Sequence, residues 1–293
     1  MKNKTGAAAF LVILAGVFWG SMGIFVRALG KYGFSPVQIV CIRVTLAALL
    51  FCAILPAGRS GARPALRDLP LFLGLGLGSI LFFTVCYFYS ISVMSLSAAA
   101  ILLYTSPVWI MLMSVAFFRE KITAVNLISL ALAFGGCALV SGFSGKGLTA
   151  AGILAGLGSG IGYGLYSILG TVALRRFSPY AVTAGAFLTA AAGSWVICRP
   201  GEMLSKFAAA PSLPQLFGLC VLTAIVTAVI PFLSYTLGLR NLEASRAGIL
   251  ATVEPMTAAV VGILVFSEPV TALSALGIAL ILSAVVLLNM KKG

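Results

Sequence analysis

A single acidic residue interrupts an apolar stretch in the last third of the sequence. Glu254 lies near the middle of residues 246–266. If this stretch crosses a bilayer, a carboxylate at that depth costs at least about 2.5–3.5 kcal/mol, and such a residue normally faces a cavity or a partner. Glu254 is therefore predicted to carry a proton, to bind a cationic group or to form a structural pair. The structural alternatives are an ion pair with Arg43 and capping of backbone groups near Pro255.

Arg43 supplies the opposite charge, near the start of the apolar stretch 36–55. A guanidinium can hold a carboxylate through a forked pair of hydrogen bonds. One alternative is that its charged end reaches the outer interface while its stem stays in apolar surroundings. The other is an ion pair with Glu254. An arginine and a glutamate that bracket one site would suit a zwitterion such as an amino acid.

Two prolines, Pro107 and Pro255, lie inside apolar stretches. Each removes one backbone donor and frees one carbonyl of its helix. In membrane proteins built from internal repeats, matched helix interruptions point to a central site or to a hinge. We therefore predict a hinge or helix break at both prolines. The alternative is an ordinary kink filled by neighbouring helices.

Aromatic residues that combine an apolar face with a polar group recur in the same stretches. Ring faces attract cations, although Trp and Tyr equally form interfacial belts. Together with the two charges, they make up the predicted substrate-binding set: Glu254, Arg43, Trp19, Tyr87, Tyr104, Tyr163 and Tyr235. Thr105, Ser106 and Thr252 adjoin the prolines and could add hydroxyl contacts, or could bond to their own helix carbonyls.

The composition identifies the elements that must position these side chains. Of 293 residues, 61% are hydrophobic and 9% are charged, against about 25% charged in a soluble domain. So few charged residues could not cover the surface of a soluble protein of this size. So many apolar residues also exclude an intrinsically disordered chain. A bilayer-crossing helix needs about 20 apolar residues. The sequence divides into ten such stretches, which predict an all-α polytopic membrane protein: 6–28, 36–55, 70–90, 98–118, 122–142, 151–173, 179–197, 213–237, 246–266 and 270–290.

Basic residues outnumber acidic ones by 19 to 6, and their distribution indicates topology. They occur singly or in pairs between the apolar stretches, so binding to nucleic acid is not expected. With the N-terminus in the cytoplasm, thirteen of the 19 fall on the cytoplasmic side and five on the other. Membrane proteins retain positive charge on the cytoplasmic side. We therefore predict a multi-pass protein of the cytoplasmic (inner) membrane with both termini cytoplasmic.

The sequence also repeats itself. A shift of 148 residues aligns 83–140 with 231–288 without a gap, and 13 of the 58 positions are identical. The informative pairs are Tyr87 with Tyr235, Pro107 with Pro255, Glu120 with Glu268 and Thr123 with Thr271. Each half, 1–145 and 146–293, then holds five spans. Because five is odd, the second half enters the membrane from the opposite side, which is the inverted repeat of many secondary transporters. We expect Glu120 and Glu268 to lie in loops and to pair locally, without a transport role.

Several short motifs follow one another in a specific order. They are Phe18-Trp19-Gly20, Arg43, Ser106-Pro107 followed by Arg119-Glu120-Lys121-Ile122-Thr123, and Glu254-Pro255 followed by Ser267-Glu268-Pro269. With these motifs the whole chain resembles the drug/metabolite transporter superfamily, and most of all its proteins with two EamA domains. The resemblance implies export or exchange of small metabolites by alternating access, around a cavity lined by spans one, three, four, six, eight and nine. Arg246 departs from the family pattern, which more often has a small residue there.

The repeat and the resemblance favour a secondary transporter that exports a small organic metabolite, an amino acid or a similar molecule. The alternative in that class is an exporter of toxic organic cations. An intramembrane enzyme needs paired carboxylates, a metal cluster or an activated nucleophile. The sequence has no histidine and a single aspartate, Asp68, so we expect no enzyme, no cofactor and no metal. A non-transporting receptor is a further alternative. The expected partners are a small-molecule substrate and the lipid bilayer; coupling to protons, and the choice between monomer and weak dimer, stay open.

Overall fold

The computed structural model describes residues 2–55, 64–142 and 148–290. This part of the chain contains ten helices that are long and apolar enough to cross a membrane: α1 Thr5–Gly30, α2 Pro36–Ile54, α3 Leu66–Val93, α4 Leu96–Phe118, α5 Ala124–Ser141, α6 Ala150–Leu174, α7 Pro179–Ile197, α8 Leu213–Leu239, α9 Ala244–Phe266 and α10 Ala272–Met290. A short helix, Pro200–Ala208, lies between α7 and α8. The prediction of an all-α protein with ten membrane-spanning helices is confirmed.

Local hydrogen bonds explain where α2 and α7 begin. The Ser35 hydroxyl accepts the N–H of Gln38 at 3.3 Å, and the Gln38 side chain accepts the N–H of Ser35 at 3.0 Å. Ser178 likewise accepts the N–H three residues further on, at 3.2 Å. Pro36 and Pro179 follow in the first turn, where a missing N–H costs nothing because that donor has no helical partner.

Three of the ten spans consist of two helical segments each. The helical segments are Lys2–Gly20 and Met22–Gly30 in α1, Leu96–Leu103 and Ser106–Phe118 in α4, and Ala244–Leu250 and Val253–Phe266 in α9. In α4 and α9 the second segment begins just before Pro107 and Pro255. A proline is tolerated there because the first turn has no intrahelical use for its N–H. That Pro107 and Pro255 act as hinges stays a prediction.

The two halves match in local geometry at the 148-residue shift. The helix α3 is π-helical over Gly74–Leu81 and α8 over Ile225–Val229. The ends of α4 and α9 also agree, because Arg119 and Ser267 both adopt the left-handed conformation, with φ of 56° and 55°. A left-handed residue commonly ends a helix. These agreements support a repeat, whereas the opposite orientation of the two halves stays a prediction.

Charged residues at the helix ends make contacts that differ from the expected local pairing. The Glu120 carboxylate accepts hydrogen bonds from the start of α9, 124 residues away along the chain. Glu268 pairs with Arg27 of α1 at 2.8 Å. The expectation of local pairing is wrong because each glutamate follows a left-handed residue, after which the chain turns toward another helix. Arg246 donates to the Leu288 carbonyl at 2.8 Å and so joins α9 to the end of α10.

Helices approach most closely where small residues face each other. A Cβ added at Gly136 of α5 would lie 2.7 Å from the carbonyl oxygen of Gly277 in α10, and the reciprocal distance is also 2.7 Å. In a bilayer, apolar side chains gain little by leaving lipid, so packing at close range drives helix association. The glycine pair therefore sets the separation of α5 and α10.

Gly136→Ala is expected to destabilise the protein by about 1–3 kcal/mol, because the added methyl group would overlap backbone atoms of α10. Gly135→Ala is the matched control, since a Cβ there meets no atom within 4 Å. Thermal unfolding of the purified protein in detergent measures the difference. Equal unfolding temperatures for the two variants would contradict close contact of α5 and α10 at this glycine pair.

Candidate substrate-binding cavity

The interior of the bundle contains a cavity of about 350 Å³. This volume lies in the range of sites for small organic ligands, roughly 300–1,000 Å³. Its walls come from α1, α2, α3, α4, α6, α8 and α9, and neither α5 nor α10 contributes a lining residue in the described part of the chain. The resemblance implied six of these spans and missed α2. The cavity extends to the face where α1 and α3 end and where α2 and α4 begin, because Val26, Pro36, Ile91 and Leu96 line it there.

Six of the seven residues predicted to bind substrate line this one cavity: Glu254, Arg43, Trp19, Tyr87, Tyr104 and Tyr163. Tyr235 does not. Its side chain is buried and exchanges a hydrogen bond of 2.7 Å with Ser167 of α6. Its ring lies behind Trp19, with a centroid distance of 5.4 Å. Tyr235 therefore supports the cavity wall, because its ring packs on Trp19 and its hydroxyl is held by α6.

Glu254 lies in the first turn of the second segment of α9. The positive end of the helix dipole lies there and favours a negative side chain. The Tyr163 hydroxyl donates to Oε2 of Glu254 at 2.9 Å. Gly20 brings α1 against the same turn, since a Cβ there would lie 2.5 Å from the carbonyl oxygen of Glu254. The interruption of α9 thus places a carboxylate on the cavity wall with a tyrosine as its partner.

Arg43 neither reaches an interface nor pairs with Glu254. It is 4% exposed, and among the described residues no ion pair within 4.0 Å joins Arg43 to a carboxylate. Its Nη1 donates to the sulfur of Met22 at 2.7 Å, and its Nε has no hydrogen-bond partner in the described part of the chain. A thioether is a weak acceptor. The guanidinium therefore retains donors that a ligand carboxylate could satisfy.

Aromatic rings complete one side of the cavity. Trp19 packs edge to face against Tyr163 and Phe232, with centroid distances of 6.0 and 5.1 Å. Phe83 packs in the same manner on Tyr163, at 5.6 Å. This cluster fixes the Tyr163 ring, and with it the hydroxyl that reaches Glu254. The rings present apolar faces that can also receive a cation.

Two of the three hydroxyls beside the prolines bond to their own helices. Thr105 donates to the Leu102 carbonyl at 2.6 Å, and Thr252 donates to the Ile249 carbonyl at 2.6 Å. Neither lines the cavity. Sequence reasoning left this alternative open, and the geometry supports it.

Several lining residues were missed by sequence reasoning. They are mostly apolar and include Met22, Val26, Ile39, Phe83, Phe88 and Leu103. Their spans are apolar all round, so periodicity does not distinguish a side chain that faces a cavity from one that faces lipid. Met22 had a nearby signal, because it follows the Phe18-Trp19-Gly20 motif closely.

Tyr163→Phe is expected to destabilise the protein by about 1–3 kcal/mol, because it removes the donor to a carboxylate withdrawn from bulk water. In a Glu254→Leu background the same change should be nearly neutral. A double-mutant cycle on thermal unfolding measures the coupling, and Tyr87→Phe is a control on another tyrosine of the same cavity. Equal costs of Tyr163→Phe in both backgrounds would show that the hydrogen bond does not contribute.

Comparisons with known proteins agree with this architecture. The model of the EamA-like transporter family matches residues 6–142 and 150–290. A protein named "Uncharacterized transporter" from Archaeoglobus fulgidus (strain ATCC 49558 / DSM 4304 / JCM 9628 / NBRC 100126 / VC-16) is 30% identical over 285 residues, which cover 97% of this chain and 96% of that protein. "Uncharacterized transporter YxxF" from Bacillus subtilis (strain 168) is 26% identical over 67% of this chain and 68% of its own length.

A solved crystal structure has the same fold, with a TM-score of 0.78, 18% identity and 96% coverage of both chains. The matching family and the similar proteins are transporters and not enzymes. The family match covers both halves of the ten-helix bundle that encloses the cavity. This multi-pass membrane protein therefore belongs to the EamA-like transporter family of the drug/metabolite transporter superfamily.

Proposed function

We propose that this transporter is a secondary transporter that exports a small organic metabolite across the cytoplasmic membrane by alternating access. Substrate binds in the central cavity, in contact with the residues predicted from the sequence that line it: Glu254, Arg43, Trp19, Tyr87, Tyr104 and Tyr163. The observation that carries the proposal is the presence of one carboxylate and one guanidinium on the wall of a single cavity of ligand size.

The two charges favour a substrate that carries both an amine and a carboxylate. The Glu254 carboxylate and the Tyr163 hydroxyl can hold an ammonium group. Arg43 can hold a carboxylate, because most of its donors are not used by the protein. Such a ligand would neutralise both buried charges at once, which lowers the cost of keeping them out of water. An amino acid or a similar zwitterion fits this arrangement best.

An exporter of organic cations is the second candidate. A cation would use Glu254 and the aromatic faces around Trp19. It would also have to bind beside the buried Arg43 guanidinium without neutralising it, and like charges in a poorly solvated site repel each other. The placement of Arg43 on the wall therefore favours the zwitterion.

Alternating access is supported by the repeat. The family model matches twice, at 6–142 and 150–290, and helix interruptions occur at corresponding positions of α4 and α9. We propose inverted repeats of residues 1–145 and 146–293, which rock around Pro107 and Pro255. With both termini in the cytoplasm, as the basic residues favour, the cavity faces outward in this state. Export is the direction that the family resemblance implies.

Ligand screening by thermal shift is expected to find a zwitterion that stabilises the protein. At 100 times its dissociation constant, a ligand should stabilise by about 2.7 kcal/mol. Glu254→Gln and Arg43→Gln should each abolish the shift. Glu202→Gln should retain it, because Glu202 pairs with Arg199 in an exposed helix away from the cavity.

The panel should contain amino acids, organic cations, sugars and nucleotides. A hit that survives both cavity variants would contradict binding at these residues. Hits confined to cations without a carboxylate would instead favour the second candidate.

Glu254 is also proposed as the group that couples transport to protons. The titratable groups that interact with it are Arg43, Tyr87, Tyr104, Cys137 and Tyr163. In proteoliposomes, flux of the identified ligand should depend on pH in the parent protein, and Glu254→Gln should abolish that dependence because its amide cannot release a proton. Glu202→Gln serves as the control, because Glu202 belongs to an exposed ion pair and does not line the cavity. Flux that stays fully pH-responsive in Glu254→Gln would remove Glu254 as the coupling group.

A further inference from the structure

One carboxylate closes the face at which α4 ends and α9 begins. Glu120 accepts a hydrogen bond from the N–H of Ala244 at 3.0 Å, one from the N–H of Ser245 at 3.4 Å, and one from the Ser245 hydroxyl. Ala244 begins the first segment of α9, and the preceding Glu243 makes no side-chain cap. Glu120 therefore caps a helix of the other half, and its charge interacts favourably with the helix dipole.

The segment that Glu120 caps is tightly enclosed. Every residue of Ala244–Leu250 except Arg246 is buried. Gly248 lies against α4, since a Cβ there would be 2.7 Å from Cδ1 of Ile110. The first segment of α9 and the second segment of α4 thus meet directly and seal the cavity at this face.

The corresponding segment of the first half is open. At the 148-residue shift, Leu96 corresponds to Ala244 and Ser97 is identical to Ser245. Leu96 is 64% exposed. It lines the cavity together with Glu254 of the second segment of α9. The surfaces that meet at the closed face therefore have counterparts that are separated by the cavity at the open face.

The glutamate that corresponds to Glu120 has a different partner. Glu268 forms an exposed ion pair with Arg27 at 2.8 Å. The Arg27 guanidinium also stacks on Phe266, 3.7 Å from the ring centroid. The 148-residue shift relates Phe266 to Phe118. The two arginines hold similar places, because Arg27 lies in the last turn of α1 and Arg175 directly follows α6.

The stacking contact also recurs in the other half. Arg175 lies over Phe118 at 5.3 Å, two residues before Glu120. Each glutamate therefore follows a phenylalanine that carries an arginine. Glu268 forms an ion pair with its arginine, Arg27, whereas Glu120 accepts hydrogen bonds from the start of α9.

We infer that Glu120 and Glu268 are reciprocal latches that exchange partners when the cavity changes face. In the described state Glu120 holds the start of α9, and Glu268 stays on Arg27. In the opposite state Glu268 binds the N–H groups of Leu96 and Ser97 and the Ser97 hydroxyl. The inference rests on the proposed alternating access and identifies how each face is held closed.

Release of Glu120 in the opposite state leaves it near Arg175. In either state one face is held closed, because one glutamate caps a helix while the other pairs with an exposed arginine. Hydrogen bonds from backbone N–H groups to a carboxylate at a partly buried helix end are stronger than an exposed ion pair. Each latch therefore favours closure of its own face, and the two latches oppose each other.

Two other charges lie beside the closed latch. Burial, and after it the Glu120 carboxylate, raises the pKa of Glu243, whereas Arg246 acts in the opposite direction. The like charges of Glu243 and Glu120 repel each other, and this repulsion opposes closure of the latch.

The test compares the accessibility of single introduced cysteines at the two faces. Ile91→Cys reports on the open face, where Ile91 lines the cavity. Ser114→Cys reports on the closed face, since Ser114 is fully buried and its carbonyl accepts the Glu120 N–H. A water-soluble maleimide labels the protein in detergent. The rate of the parent, which carries six native cysteines, is subtracted.

Glu120→Gln is expected to slow labelling of Ile91→Cys and to speed labelling of Ser114→Cys, by about fivefold for a lost helix-end charge interaction. Glu268→Gln should slow labelling of Ser114→Cys by a similar factor, and the double variant should return toward the parent. Shifts of both variants in the same direction, or no shift in either, would overturn the latch.

Two further variants separate a latch from a general loss of structure. Ser245→Ala removes only the hydroxyl contact and should shift labelling in the same direction as Glu120→Gln, by a smaller factor. Glu202→Gln should leave both rates unchanged, because that residue belongs to an exposed pair elsewhere.

Labelling needs no substrate, so the two proposals fail separately. Reciprocal shifts without any transported ligand would retain the exchange of partners and overturn the proposed substrate. Transport of a cavity ligand with unshifted labelling would retain the function and overturn the latch.

Discussion

A carboxylate and a guanidinium have to be kept inside an apolar helix bundle, and much of the architecture follows from that constraint. Exposure of the charged Glu254 or Arg43 side chain to lipid would cost free energy. Both lie instead on the wall of a cavity, where Tyr163 donates to Glu254 and the Met22 sulfur accepts from Arg43. The interruption of α9 further stabilises the Glu254 carboxylate, because it places Glu254 in the first turn of a helix, where the backbone dipole favours a negative charge.

Close backbone contacts hold the walls of that cavity in place. The hydrophobic effect contributes little between helices in lipid, so small residues decide which helices meet. Gly20 lets α1 touch the turn of α9 that carries Glu254, and Gly248 lets the start of α9 touch Ile110 of α4. These glycines thus determine where the helices converge. The cavity persists at one face because the residues there, such as the exposed Leu96, have no such contact.

The membrane-spanning segments and most of the cavity charges were predictable from residue types. Long apolar runs form α-helices in a bilayer, because every backbone N–H and C=O group must find its hydrogen-bond partner within the segment. Residue types alone placed Trp19, Tyr87, Tyr163 and Glu254 in one predicted binding set, and the structure brings these four to one cavity. Tyr235 shows the limit of this reasoning, because a repeat preserves the position of a residue in its helix without preserving what its side chain faces.

The sequence by itself determined the number of spans, the five-span period and the presence of charges that lipid could not accommodate. These features depend on local composition and on chain order. Only the tertiary structure decided which side chains face the cavity, that Tyr235 packs behind Trp19, and that Glu120 caps α9 while Glu268 pairs with Arg27. The physical reason is that spans which are apolar all round have no intrinsic orientation. Their rotation, and the partners of residues at their ends, are set by the fit of one helix against another.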